Sequence, residues 1–180
     1  MSANGELSRP VRIDTLGGQG RRIDLEANET ERAALAQRFG LVSIERLSAE
    51  AEVARSGERI TARGRLNAAV TQSCVATGEP VEAVVEEDFT LEFRPEPNDA
   101  ASDEEIELSG GELDVVFYDG AAVDVGEAVA ETLSLSLDPF PRSPAAEAAL
   151  KEAGVKNEEE ARAEASPFAA LAALKDKLGK

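Results

Sequence analysis

The segment Arg59–Thr71, RITARGRLNAAVT, alternates two kinds of side chain. Ile60, Ala62, Gly64, Leu66, Ala68 and Val70 hold the even positions, while Arg59, Thr61, Arg63, Arg65, Asn67 and Thr71 hold the odd ones, with Ala69 the exception. Successive side chains of a β-strand point to opposite faces, so this period makes one face aliphatic and the other cationic. Upstream, Leu47, Ala49, Ala51 and Val53 alternate with polar residues and Ser56-Gly57 supplies a turn, so residues 46–55 are expected to pair with this strand as a hairpin. Downstream, Val81, Ala83, Val85, Phe89, Leu91 and Phe93 alternate against Glu82, Glu86, Asp88 and Glu92. An antiparallel pairing across residues 74–79 sets the arginines beside the glutamates on the solvent face. Arg59, Arg63 and Arg65 then have two readings: cross-strand partners of carboxylates, worth about 0.2–1 kcal/mol per pair, or contacts for RNA phosphates. Neighbouring strands favour the first.

Around this centre the chain reads as α+β: an antiparallel sheet, open or barrel-like, with most strands between residues 41 and 125, flanked by helices. RPVRIDT (residues 9–15) and RRIDLEA (21–27) read as short extended pieces around a turn at Gly17, Gly18 and Gly20. Asn28 with Glu31 three positions on forms a capping box for a helix that carries Leu35 and Phe39 on one face and stops at Gly40. Residues 94–112, RPEPNDAASDEEIELSGGE, have the composition of a flexible acidic loop. In LDVVFYDGAAVDV (residues 113–125), Asp119-Gly120 predicts a two-residue hairpin. Asp124 caps a helix whose stripe of Val125, Ala128, Val129, Thr132, Leu133, Ser136 and Leu137 runs towards Pro139. Ser143-Pro144 opens an alanine-rich helix closed by Gly154, and Ser166-Pro167 opens a last one with Phe168, Leu171, Leu174 and Leu178 on one stripe.

The 180 residues suffice for one core, and with aromatics at 4% and no tryptophan that core must be aliphatic. No run approaches the roughly 20 apolar residues of a membrane span, and MSANGELSRP (residues 1–10) lacks a signal-peptide stretch, so a cytoplasmic protein without a membrane partner is expected. A single cysteine, Cys74, and the lack of any histidine exclude an internal disulfide, a zinc site of the usual ligands and the commonest general base. No metal, no cofactor, no catalytic residue and no small-molecule substrate are expected.

The net charge of -17 is confined to one region: Glu79–Glu131 holds eighteen acidic residues against Arg94 alone, and the remainder has eighteen of each sign. Such a region repels phosphate backbones and suits a basic protein, or else serves solubility.

Three segments, which begin at Ser73-Cys74-Val75, Asp114-Val115-Val116 and Ser166-Pro167-Phe168, resemble in content and order the YceD family of large ribosomal RNA accumulation proteins. In SCVATGEPVEAVVEEDFTLEF (residues 73–93), Cys74, Thr77, Glu79 and Pro80 occupy the signature positions; in DVVFYDGAAVDVGEAVAETLSLSLDPFP (114–141), Asp124, Glu131, Leu133, Leu135 and Pro139 do so; SPFAALAALKDKL (166–178) is similar to the tail motif of proteobacterial members. With the helix ERAALAQRFGL (31–41) the likeness extends over residues 9–141 plus the tail, and implies a YceD-like domain at 1–141 followed by a helical, partly flexible tail at 142–180. Some relatives carry a cysteine cluster after the leucine-proline segment; DPFPRSPAAEAAL (138–150) has none, so metal binding is not carried over.

The resemblance implies a bacterial, non-catalytic factor for accumulation, processing or stability of large-subunit (23S) ribosomal RNA in ribosome biogenesis. Combined with the charge map, it points to a basic ribosomal protein or pre-ribosomal particle as partner, with Cys74, Thr77, Glu79, Pro80, Asp124 and Glu131 as binding positions. Cys74 falls on the aliphatic face, which favours a buried structural thiol over a reactive one. The alternative is direct ribosomal RNA binding through Arg59, Arg63, Arg65 and the tail's Lys175, Lys177 and Lys180, against which stands the shortage of aromatic rings for base stacking.

Overall fold

The computed structural model describes residues 6–96, 114–156 and 162. They fall into two compact units, one within residues 1–72 and 80–139, the other within 73–79 and 140–180. The expected last helix, its lysines and most of the acidic loop lie outside the described residues.

The first unit is built on three long strands, β3 (Ser43–Ser56), β4 (Arg59–Ser73) and β5 (Pro80–Pro95). With β2 (Arg21–Glu26) and β6 (Asp114–Tyr118) they form a five-stranded sheet in the order β2-β3-β4-β5-β6. The sheet stays open, with β2 and β6 as edges among the described residues. The β3–β4 hairpin forms as the alternation predicts, with Val53 opposite Ala62 and Ala49 opposite Leu66. A bulge between Ile44 and Arg46 shifts the register once. There Thr71 donates to the Glu45 carboxylate at 3.0 Å, and Ser43 donates to it as well.

On β4, Ile60, Ala62, Leu66, Ala68 and Val70 are buried, while Arg59, Arg63 and Arg65 are exposed. Each large aliphatic side chain removed from water contributes about 1.5–3 kcal/mol. The ion pairs Arg59–Glu92 (3.4 Å) and Arg65–Asp88 (3.3 Å) run in opposite sequence directions, as an antiparallel β4–β5 neighbour requires. Gly64 is the one small break in the aliphatic row: it faces Ala51 on β3, and the Phe89 ring of β5 lies over it.

Helix α1 (Glu29–Phe39) packs on β3 through Leu35 and Ala36, with Phe39 half-buried. Its capping box is complete: Asn28 Oδ1 accepts from Glu31 N at 3.0 Å, and the Glu31 carboxylate accepts from Asn28 N at 2.8 Å. Gly40 ends it with φ +66°, a left-handed conformation costly for other residues. Helix α2 (Val125–Ser136) buries Val125, Ala128, Val129 and Leu133 towards β5 and β1. In the second unit α3 (Ala146–Glu152) is closed by Gly154 at φ +78°.

Three expectations are corrected. The segment 9–15 is only in part a strand: β1 (Pro10–Arg12) gives way to a 3-10 turn at Ile13–Thr15. Strand β5 continues to Pro95, into the stretch expected as loop, because Phe93 is buried and β6 pairs beside it. The Asp119-Gly120 hairpin does not form. Instead β6 runs parallel to β5, from Leu91↔Asp114 to Pro95↔Tyr118, and β7 (Ala122–Asp124) pairs antiparallel with β1. A local hairpin would leave the β5 edge and β1 without partners; the observed pairing satisfies both and sets Val11 against Val123. Residues 96–113 are long enough for the crossover a parallel pair needs.

Two outcomes test this packing. A methyl at Gly64 would meet the Glu50 carbonyl inside van der Waals contact and lie 2.8 Å from Phe89 and 2.9 Å from Ala51 Cα. Gly64→Ala is expected to lower stability by about 1–3 kcal/mol, read from urea unfolding midpoints. Arg9 donates to Glu31 at 2.7 Å and 3.0 Å, which, ahead of the Asn28 amide, holds this carboxyl below its ordinary pKa of 4.5. The stabilisation is therefore in place above that value and is lost as pH falls through the lower folded one. The midpoints of wild type and Glu31→Gln are expected to converge between about pH 6 and about pH 3.

Candidate functional site

The β4–β5 connection is the six-residue turn Cys74–Glu79, and its shape is fixed by its own backbone. Cys74 N donates to Glu79 O at 2.7 Å, and Gly78 N donates to Cys74 O at 2.9 Å. Gly78 takes φ +73°, which is why glycine sits there. From the segment after α2 the same unit adds Pro141, whose carbonyl accepts from Val75 N at 2.9 Å, and Ser143.

Ser143 completes a polar cluster with three of the sequence-predicted residues. Its hydroxyl donates to Glu79 Oε2 at 2.6 Å and lies 3.2 Å from the Thr77 hydroxyl, which is itself 3.1 Å from Glu79 Oε2. Cys74 is buried, and its Sγ faces the Ser143 backbone N–H, the Thr77 and Ser143 hydroxyls and the Ala76 N–H. These donors, the Ser143 N–H foremost, pull the thiol down to about 6. The Ser143 and then the Thr77 hydroxyl hold the Glu79 carboxyl below its ordinary value. The two hydroxyls thus stand between two acceptors, the Glu79 carboxylate and the Cys74 sulfur. Cys74 lies just past the last β4 residue, so burial comes from the turn and Ser143 more than from strand alternation. The buried sulfur and its donors tie the turn to Ser143. Attack on a substrate would require the turn to open.

Pro80 starts β5 and is exposed. Asp124 and Glu131 belong to the other unit. Asp124 is committed to structure: its carboxylate accepts from Gly126 N (3.0 Å), Glu127 N (3.2 Å), Arg9 N (2.7 Å) and Ser8 Oγ (2.6 Å), capping α2 and holding the N-terminal segment on it. Glu131 is exposed one face away from the buried stripe. Of the arginines, Arg59 and Arg65 are ion-paired to β5, and Arg63 stands opposite Glu52 on β3 without an ion pair among the described residues. Glu92, expected on the solvent face, is buried between Arg94 and Arg59.

Sequence reading missed Ser143, which it used only as a helix opener, because its partner Glu79 lies 64 residues away. It also missed Ser8 and Arg9, which carry no periodic signal. Among the described residues no three of His, Cys, Asp or Glu are placed to hold a metal ion. No helix among them is long and apolar enough to cross a membrane.

The thiol makes the cluster measurable, since Cys74 is the only cysteine. Ser143→Ala is expected to raise the midpoint of the ultraviolet thiolate titration from about 6 towards the ordinary 9.0, stopping short of it because the backbone donors remain. An unmoved midpoint would remove the Ser143 hydroxyl from the thiol's environment.

The chain matches the family model described as large ribosomal RNA subunit accumulation protein YceD over residues 62–175. Neither the curated proteins nor the solved structures yielded a match. The matched region takes in most of β4, the Cys74 turn, the acidic β5 and helix α2, more than half of the 180 residues, and so the chain belongs to the YceD family.

Proposed function

We propose that this protein serves the accumulation of large-subunit ribosomal RNA without catalysing a reaction, by binding a basic ribosomal protein. The observation that carries this reading is the unneutralised acid of the β5 to α2 region. Glu82, Glu86 and Glu87 are exposed on β5 with no ion pair among the described residues, and Asp114, Asp119 and Glu131 are exposed beyond it. Arg94, the one basic residue from Glu79 to Glu131, is occupied by Glu92 at 2.5 Å. A field of this sign attracts lysine- and arginine-rich surfaces and repels nucleic acid.

Cys74, Thr77, Glu79 and Pro80 are offered to the partner as binding positions alongside this acid. Asp124 keeps α2 in place, and Glu131 is offered to the partner. Direct RNA contact has one observation in its favour, the exposed Arg63, which has no ion pair among the described residues, and two against it, the commitment of Arg59 and Arg65 to carboxylates. A gel shift with ribosomal RNA fragments that Arg63→Glu abolishes would favour that reading.

Affinity capture of the full chain from extract tests the proposal. Ribosomal proteins are expected at about 0.05 M salt, resistant to ribonuclease, and lost at about 0.5 M, where exposed charges are screened. Recovery of RNA alone, or of no ribosomal component at low salt, would overturn it.

A further inference from the structure

A groove of about 520 Å³ runs along β5, the first residue of β6 and the C-terminal half of α2. Its size is within the range of about 300–1,000 Å³ found for sites that enclose a bound group. Among the described residues three carboxylates line it, Glu87, Asp88 and Asp114, and no basic side chain does. Of the three, Asp88 alone has an ion-pair partner among the described residues, Arg65 at 3.3 Å. The opposite wall is apolar at its rim. Leu135 projects from α2 with 80% of its surface exposed, while Val129 and Leu133 of the same helix are fully buried, so Leu135 contributes nothing to the core.

The hydroxyls in the groove are as selective as the acids. Thr132 donates to Ala128 O at 2.9 Å and Ser136 donates to Thr132 O at 2.8 Å. Each hydroxyl has one proton, and the helix takes it, so towards the groove both present lone pairs. Carboxylates and lone pairs together accept hydrogen bonds from cations and offer a phosphate little. An exposed leucine beside them suits the methylene stem of a lysine or arginine, whose charged end then reaches the acids.

We infer that this groove is the docking site for a segment of another protein in which lysine or arginine alternates with aliphatic residues, the aliphatic parts resting on Leu135 and the cationic ends on Glu87 and Asp114. The inference rests on the proposed basic partner and locates its contact. It adds a requirement that charge alone does not impose, namely an apolar contact at Leu135.

Fluorescence anisotropy with the full chain tests it, using a labelled peptide that alternates lysine with leucine. Leu135→Ser and Glu87→Gln are each expected to weaken binding about tenfold, a difference of about 1.4 kcal/mol. Glu147→Gln, an exposed acid on α3, is expected to change it less than about twofold. Leu135 lies outside the core, so unchanged thermal unfolding of Leu135→Ser is the folding control. If Leu135→Ser binds like wild type, or Glu147→Gln weakens binding as much as Glu87→Gln, the acids act as a diffuse field and the groove is overturned, while the basic-partner reading stands. Displacement of the peptide by a single-stranded RNA, or a dimer of the chain that Leu135→Ser dissolves, would assign the groove to another occupant and overturn the inference. The wider reading fails separately, when extract at low salt yields no basic protein.

Discussion

The fold depends on the burial of one face of β4. Its aliphatic row, from Ile60 to Val70, lies between β3 and β5, and both neighbours turn their own alternating small and branched residues to the same side. With few aromatic rings available, this core is filled by many contacts of modest size, and the long strands supply their number. Gly64 shows how close the fit is: a bare Cα is what lets Phe89 approach the β3–β4 pair. Bulk added there has to move backbone, since Glu50 and Ala51 lie within reach of any side chain.

The reverse face follows from the same alternation. Once the even residues of β4 are committed inward, the arginines are committed outward, and the register decides what they meet. Arg22 reaches Glu50 at 2.8 Å, Glu50 stands opposite Arg65, and Arg65 reaches Asp88, so opposite charges succeed one another across four strands. Exposed pairs of this kind add little stability each. Their larger effect is to neutralise Arg22, Arg59 and Arg65, so that much of the net field of the described surface originates in acids that have no such neighbours. The segregation of charge visible along the sequence is thus sharpened by folding.

Much of this was legible in the sequence because it rests on short-range rules. The β3–β4 hairpin, the Asn28–Glu31 capping box, the Gly40 stop and the Asp124 cap each depend on residues a few positions apart, and each stands where spacing puts it. Strand direction was less accessible. Asp119-Gly120 has the local chemistry of a hairpin, yet β6 joins β5 and β7 joins β1, because edge satisfaction is decided by strands far away in the chain. The candidate loop was half legible. Cys74, Thr77 and Glu79 were singled out together by family resemblance and are brought together in space, whereas Ser143, which supplies the strongest hydrogen bond to Glu79, had no signal at all. Asp124 was read as a contact for a partner as well as a cap, and its four hydrogen bonds place it as the cap of α2 and the holder of Ser8 and Arg9.

The pairing of β1 with β7 bears on how the molecule is made. Pro10 meets Asp124, so β1 waits for a partner synthesised more than a hundred residues later. Contacts of such long sequence separation slow folding, since loop closure must precede any gain from them. The β3–β4–β5 meander can assemble during translation, whereas β1 has no partner strand until β7 exists. Vectorial synthesis thus leaves the nascent chain with a formed meander and an unfastened β1 until Asp124 has emerged.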